Sequence, residues 1–175
     1  MLNLIKFFIT VIIIFSTFSS YSKDLNLPKN LIIYEKPKEY KDVAFKNTLE
    51  KDIYLIDYEG NLVLMNFWAT WCEPCKEEMP SIDKLSIDKN FKNLKILPIN
   101  IGQEKIDKIK DFYIKTNIEN LDIFYDSDVR LAKKFLLRGL PTTLIISKDG
   151  TEIARVVGSI DFQDKKFKKW LQNFD

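Results

Sequence analysis

Residues 62–68 read Leu-Val-Leu-Met-Asn-Phe-Trp, an apolar run that starts directly after a Glu59-Gly60-Asn61 turn. A short apolar run bounded by turn signals predicts a strand buried on both faces, and strands of that kind lie in sheets covered by helices. Four residues past its end the chain reads Cys72-Glu73-Pro74-Cys75, and residues 73–90 then carry Met79, Ile82, Leu85 and Ile87 at helical spacing. A buried strand running into a helix through a pair of cysteines is therefore the nucleus of the fold. Pro80 interrupts that helix and predicts a kink.

The rest of the chain repeats the alternation. Residues 42–45 and 52–56 read as short strands around a polar break, 94–101 as a second buried strand, and 104–116 as an amphipathic helix bearing Ile106, Ile109, Phe112 and Tyr113. A short strand is expected over 122–125, then a helix capped by Asp126 or Ser127 and running through Phe135. Residues 142–147 and 151–157 around Lys148-Asp149-Gly150 predict a β-hairpin. Asp161 is expected to open a last helix that turns Phe162, Phe167, Trp170, Leu171 and Phe174 inward, with Lys165, Lys166, Lys168 and Lys169 on a solvated face. This order describes an α/β fold: a central mixed sheet flanked by helices, with extension strands at its N-terminal side.

Composition removes many chemistries. The 175 residues include no histidine and two cysteines. Ser-His-Asp and Cys-His catalysis, His-ligated metals and imidazole pH switches are excluded. A structural zinc site needs more ligands than two cysteines supply. The five glycines are too dispersed for a phosphate-cradling loop. With 27 basic and 25 acidic residues interspersed, the net charge of +2 gives no nucleic-acid footprint. No metal and no cofactor is expected.

Residues 1–22 read as an address. Lys6 precedes FFITVIIIFSTF over residues 7–18, and Ser20 and Ser22 offer small residues before Lys23. That is the order of a secretory signal peptide, with an uncleaved membrane anchor as the alternative. Either reading places the folded domain outside the cytoplasm, where oxidation can act on a thiol pair. Residues 23–41, with Pro28 and Pro37, read as an extended lead-in whose Leu31–Tyr34 lies against the domain surface, and residues 42–175 as one domain.

The cysteines carry the chemistry. At i and i+3 on a first helical turn they can close a small disulfide ring and reopen it. Cys72, at the helix N-terminus, is placed to be the stabilised thiolate and nucleophile, and Cys75, one turn in and more buried, to resolve the mixed disulfide. Pro74 suits the first turn. Glu73 is expected to raise the Cys72 pKa and push the pair toward a reducing potential. A static disulfide or a pair of metal ligands would use the same residues. Lys76 after Cys75 rules out the c-type haem attachment signal.

The segment from Asn66 to Pro80, NFWATWCEPCKEEMP, resembles the active-site segment of the thioredoxin superfamily and is most similar to its extracytoplasmic TlpA/ResA-like branch. Gly139-Leu140-Pro141-Thr142-Thr143 and the 149–158 hairpin extend the resemblance over residues 42–173. It implies a thioredoxin-like fold and a cis Pro141 that exposes the Leu140 backbone beside the sulfurs for an extended substrate segment. It also implies that Trp71 covers the sulfurs and touches the partner, while Trp68 belongs to the core. Asn66 stands where cytoplasmic thioredoxins place a buried Asp. By the same resemblance Glu78 is the proton carrier for Cys75. The plainer reading is that Glu77 and Glu78 complement the helix dipole.

The function implied is an extracytoplasmic thiol:disulfide reductase, monomeric, fed by a membrane thiol-electron transporter. Its implied substrates are oxidised cysteine pairs in apocytochrome c or in a copper-centre protein. The rivals are a disulfide-donating oxidase and a non-catalytic redox-sensing or Cu(I)-handling module. A peroxidase of the related peroxiredoxin type would place its cysteine in a Thr-x-x-Cys context, which differs from this one.

Overall fold

A computed structural model describes residues 27–175. The expected signal peptide or anchor and its cleavage point before Lys23 lie outside the described residues. The apolar run forms β4 (Leu62–Trp68), and all seven of its residues are buried. It has a neighbour on each side. The strand β5 (Leu94–Asn100) runs parallel to it, and β7 (Thr142–Ile146) runs antiparallel. With β1 (Leu31–Lys38), β2 (Ala44–Asn47), β3 (Asp52–Tyr54), β6 (Phe124–Tyr125) and β8 (Glu152–Val157), these make one mixed sheet ordered β1-β8-β7-β4-β5-β6-β2-β3.

Alternation along β4 divides the core in two. Leu62, Leu64 and Trp68 face a layer built from α1 (Glu73–Ser86), α2 (Ile106–Lys115) and α4 (Lys165–Leu171). Val63, Met65 and Phe67 face a second layer that includes Phe45, Leu131 and Phe135, beneath the short α3 (Arg130–Lys134). Trp68 is fully buried, its ring 5.0 Å from Phe112 and 5.8 Å from Tyr113, as a core residue should be.

Several local expectations change. The lead-in does more than lie against the surface: residues 31–33 pair with Val156–Ala154 as the sheet's edge strand β1. Pro37 fits there because an edge strand has one row of N–H groups free of the ladder. The first helix runs through Pro80 but ends at Ser86, short of Asn90. The helix expected from Asp126 begins only at Arg130, because Val129 takes a left-handed φ of 54°. The Asp126 carboxylate still serves it, accepting from Leu131 N at 2.7 Å.

The last helix is capped by Asp164, which accepts from Lys166 N and Phe167 N, and not by Asp161. Residues 161–164 instead form a turn held to α1. Phe162 N donates to Ser81 Oγ at 3.1 Å and Gln163 Nε2 to Ser81 O at 2.8 Å. In β8 a bulge opposite Ile145 and Ile146 brings Glu152 and Arg155 to one face. There they pair through two hydrogen bonds of 2.7 and 3.0 Å, and Arg155 Nη1 also donates to Phe135 O.

Candidate active site: a disulfide at a helix N-terminus beside a buried carboxyl

The chain leaves β4 at Trp68, turns through Ala69–Trp71 and enters α1 at Cys72. Cys72 is the N-cap in extended conformation, and its sulfur accepts from Cys75 N at 3.3 Å. The two sulfurs are joined in a disulfide with a Cα–Cα separation of 5.3 Å. Cys72 is 5% exposed and Cys75 not at all, so an incoming thiol or disulfide reaches Cys72 first. The free N–H groups and the positive end of the α1 dipole favour negative charge on the Cys72 sulfur. Trp71, next to it, is 61% exposed.

Glu73 follows Cys72 as the first residue of α1. Its carboxylate is solvent-exposed and pairs with Lys76 at 2.8 Å. Screening and that partner weaken the field it exerts at Cys72.

Pro141 reaches the site through strand register. Thr142 and Thr143 pair with Phe67 and Asn66, so Pro141 sits at the end of β4 from which the cysteine loop departs. The Leu140–Pro141 bond is cis. Leu140 is partly buried against both core layers.

Glu78 lies one turn beyond Cys75 on the same face of α1, and it is 2% exposed. Its Oε1 accepts from Asn66 Nδ2 at 2.8 Å, and its Oε2 has no hydrogen-bond partner. Burial pushes its pKa up to about 8, while the Asn66 amide and the nearby Ile160 backbone pull it back in part. A depression of about 330 Å³, lined by Glu77, Glu78, Ser81, Ser159, Ile160 and Asp161, gives this buried acid a way to solvent. A larger depression of about 460 Å³ lies at the opposite end of the sheet, beside the β7–β8 turn, and includes none of these groups. Among the described residues no cluster of three or more His, Cys, Asp or Glu side chains is placed to hold a metal ion.

One residue at the site had no signal in the sequence. Glu104, just before α2, has a side chain only 4% exposed and reaches back to the cysteine loop. Its carboxylate accepts from Thr70 N at 2.8 Å, from Thr70 Oγ1, from Asn100 Nδ2 at 3.1 Å and from Lys108 at 2.6 Å. Burial alone would raise its pKa, but these donors outweigh it and hold the carboxyl below its ordinary value. The two loops approach so closely that a Cβ on Gly102 would meet Glu104 Oε2 at 2.6 Å and Ala69 Cβ at 3.0 Å. Glu104→Ala is expected to cost about 2–3 kcal/mol, because it leaves several donors unpaired, whereas Glu104→Gln keeps acceptors and should cost less. Urea unfolding of both variants at pH 7 checks this.

A protein-family model described as the AhpC/TSA family matches residues 37–154, well over half of the chain. The chain belongs to that family. It is similar to the thiol-disulfide oxidoreductase ResA of Bacillus subtilis (strain 168), with 34% identity over 119 residues, covering 67% of this chain and 64% of that one. A protein of the same name from Bacillus cereus is 30% identical over 121 residues, 69% of each chain. The alignments thus span about two thirds of these relatives' lengths. Among solved structures, the exposed lipoprotein thioredoxin of Streptococcus pneumoniae strain TIGR4 superposes with a TM-score of 0.63 at 23% identity, covering 75% of this chain and 98% of that one. That likeness concerns the fold, which is thioredoxin-like.

Proposed function

We propose that this AhpC/TSA-family chain is an extracytoplasmic thiol:disulfide reductase that acts on protein disulfides by dithiol exchange. The observation that carries the reading is the Cys72–Cys75 disulfide at the N-terminus of α1, with a buried carboxyl one turn beyond it. In the reduced form the Cys72 thiolate attacks a substrate disulfide, forming a mixed disulfide and releasing one substrate thiolate. Cys75 then gives its proton to the Glu78 carboxylate and attacks the Cys72 sulfur. The second substrate thiolate leaves, the Cys72–Cys75 bond re-forms, and two electrons have passed to the substrate. A carboxyl with a pKa near 8 is a far stronger base toward a thiol than an ordinary one.

The exposed Trp71 and the backbone of Leu140 beside Pro141 are the surface on which an extended substrate segment pairs as an added strand. The apolar run of residues 7–18 and the disulfide-bonded pair support a location outside the cytoplasm. The resemblance to ResA-type proteins supports apocytochrome c or a copper-centre protein as substrate, with a membrane thiol-electron transporter restoring the dithiol.

Equilibration in glutathione or dithiothreitol buffers, followed by thiol counting, tests the direction. A reduction potential near that of thioredoxin, about −270 mV, is expected; one near about −120 mV would make the protein a disulfide donor instead.

A further inference from the structure

Three polar side chains meet in the apolar layer between the sheet and α1. Asn66 on β4 and Thr143 on β7 are cross-strand partners, so their side chains leave the same face of the sheet, and Glu78 reaches them from α1. None of the three is more than 2% exposed. The Asn66 amide nitrogen donates one hydrogen to Glu78 Oε1 at 2.8 Å and the other to Thr143 Oγ1 at 2.9 Å. Two oxygens of this cluster are left over, Asn66 Oδ1 and Glu78 Oε2, both buried and neither in a well-formed hydrogen bond, with the Ile160 backbone the one other group near the carboxyl.

Leaving two acceptors orphaned in one small cluster is costly, and a single proton shared between them would satisfy both. A carboxylic acid and a primary amide each carry one donor and one acceptor at matching spacing. Once the N–H···O bond is made, an O–H···O bond closes the pair into a ring. The atoms this second bond joins are the two that now lack partners.

We propose that Asn66 is a positioning residue for proton transfer at the cysteine pair. In this proposal it clasps neutral Glu78 by two hydrogen bonds, with the proton held between Glu78 Oε2 and Asn66 Oδ1, and Thr143 fixes which way the amide faces. The inference rests on Glu78 as the proton carrier and adds the residue that stores its proton. Thr143 does this by accepting the second amide hydrogen, which keeps Nδ2 toward Oε1 and therefore Oδ1 toward Oε2. When Cys75 needs its proton back, Oε2–H is the donor. When Glu78 is ionised, the N–H···Oε1 bond remains and the carboxylate stays aimed. The raised pKa of Glu78 agrees with a carboxyl that is neutral at pH 7 in the oxidised protein, after it has taken the Cys75 proton. The titratable groups around it are Cys75 on its own helix, and Glu77 and Asp161, which line the same depression. The two strands beneath it present Asn66 and Thr143, neither of which titrates.

Joint neutron and X-ray diffraction on the oxidised, deuterated protein tests the arrangement without any substitution. At pH 5 a deuteron is expected between Glu78 Oε2 and Asn66 Oδ1, and at pH 9.5 it should be gone. A Glu78 deuteron directed to solvent, or none at pH 5, overturns the inference.

A double-mutant cycle on the resolving step adds a functional readout. Asn66→Leu is expected to slow it by about tenfold, the factor one hydrogen bond carries, and to displace its pH break. Combined with Glu78→Gln it should be no slower than Glu78→Gln alone. Full additivity overturns the role of Asn66. If Glu78→Gln itself leaves the rate and the pH break untouched, the reading of Glu78 as proton carrier fails instead.

Discussion

Cys72→Ser protein is expected to lose all turnover of protein disulfides, while Cys75→Ser protein should react once and stop. The two cysteines differ in access and in electrostatics, and the two outcomes follow from that. Cys72 holds the N-cap position, with its sulfur against the Cys75 amide at 3.3 Å and in line with the α1 dipole. A thiolate is stabilised there, and it is the thiolate that attacks. A serine hydroxyl stays protonated at neutral pH, so the rate should fall to that of the uncatalysed exchange with buffer thiol. Cys75 is fully buried and cannot open a bulky substrate's disulfide, yet it lies within reach of the Cys72 sulfur.

Without Cys75, the first attack still occurs and the mixed disulfide has no resolving thiol. One equivalent of substrate thiol should be released, and a covalent adduct should accumulate on non-reducing gels. The captured protein identifies the substrate. Trapping by Cys72→Ser, with Cys75→Ser inert, would reverse the assigned roles.

The site was legible in the sequence where its parts are close together along the chain. The apolar run of β4 and the i, i+3 spacing of the cysteines are local facts. So is the placement of Glu78 on the Cys75 face of α1, because helical geometry fixes it. Contacts made by tertiary register were not legible. Asn66 and Thr143 are 77 residues apart, and only the β4–β7 pairing brings them together. Asn66 stands where cytoplasmic thioredoxins place a buried Asp, and nothing local shows that its amide sits against a buried carboxyl.

Glu104 is 34 residues from Thr70, and it reads as an ordinary acidic residue at the start of an amphipathic helix. Its burial comes from the close approach of two loops at Gly102. The last helix is capped at Asp164 and not at the expected Asp161 for a related reason. Both can cap, and Ser81 on α1, which holds the 161–164 turn, decides between them. The edge strand β1 reads as an extended lead-in because Pro28, Pro37 and scattered charges surround its short apolar start. Its pairing depends on the free edge of β8 rather than on a hydrophobic face.

Glu78→Gln is expected to stabilise the protein at alkaline pH while slowing it as an enzyme, and the two effects have one cause. Burial places the folded-state pKa of Glu78 at about 8, against an ordinary value of 4.5. Between those values the folded protein holds a proton that the unfolded chain releases. Stability therefore falls as pH rises through this window, and it levels off above about pH 8. This is the reverse of the usual carboxylate, whose pKa is depressed by folding and whose contribution is lost in acid.

Glutamine has no proton to lose and can still accept from Asn66 Nδ2. The variant should match the wild type near pH 4.5 and exceed it by roughly 3–5 kcal/mol at pH 9. For a chain of this size that corresponds to a melting temperature higher by about 6–20 °C. The resolving step should slow by about 10²-fold, the lower end of what a positioned acid–base group contributes, and its pH break near 8 should disappear. Urea unfolding at pH 5, 7 and 9, with stopped-flow release of the second substrate thiol over the same range, reads both effects. A variant no more stable than wild type at pH 9 would mean that the depression beside Glu78 lets water relieve its burial. The proton that Cys75 exchanges would then be shared with solvent through Ser81, Ser159 and Asp161 instead of being held against Asn66.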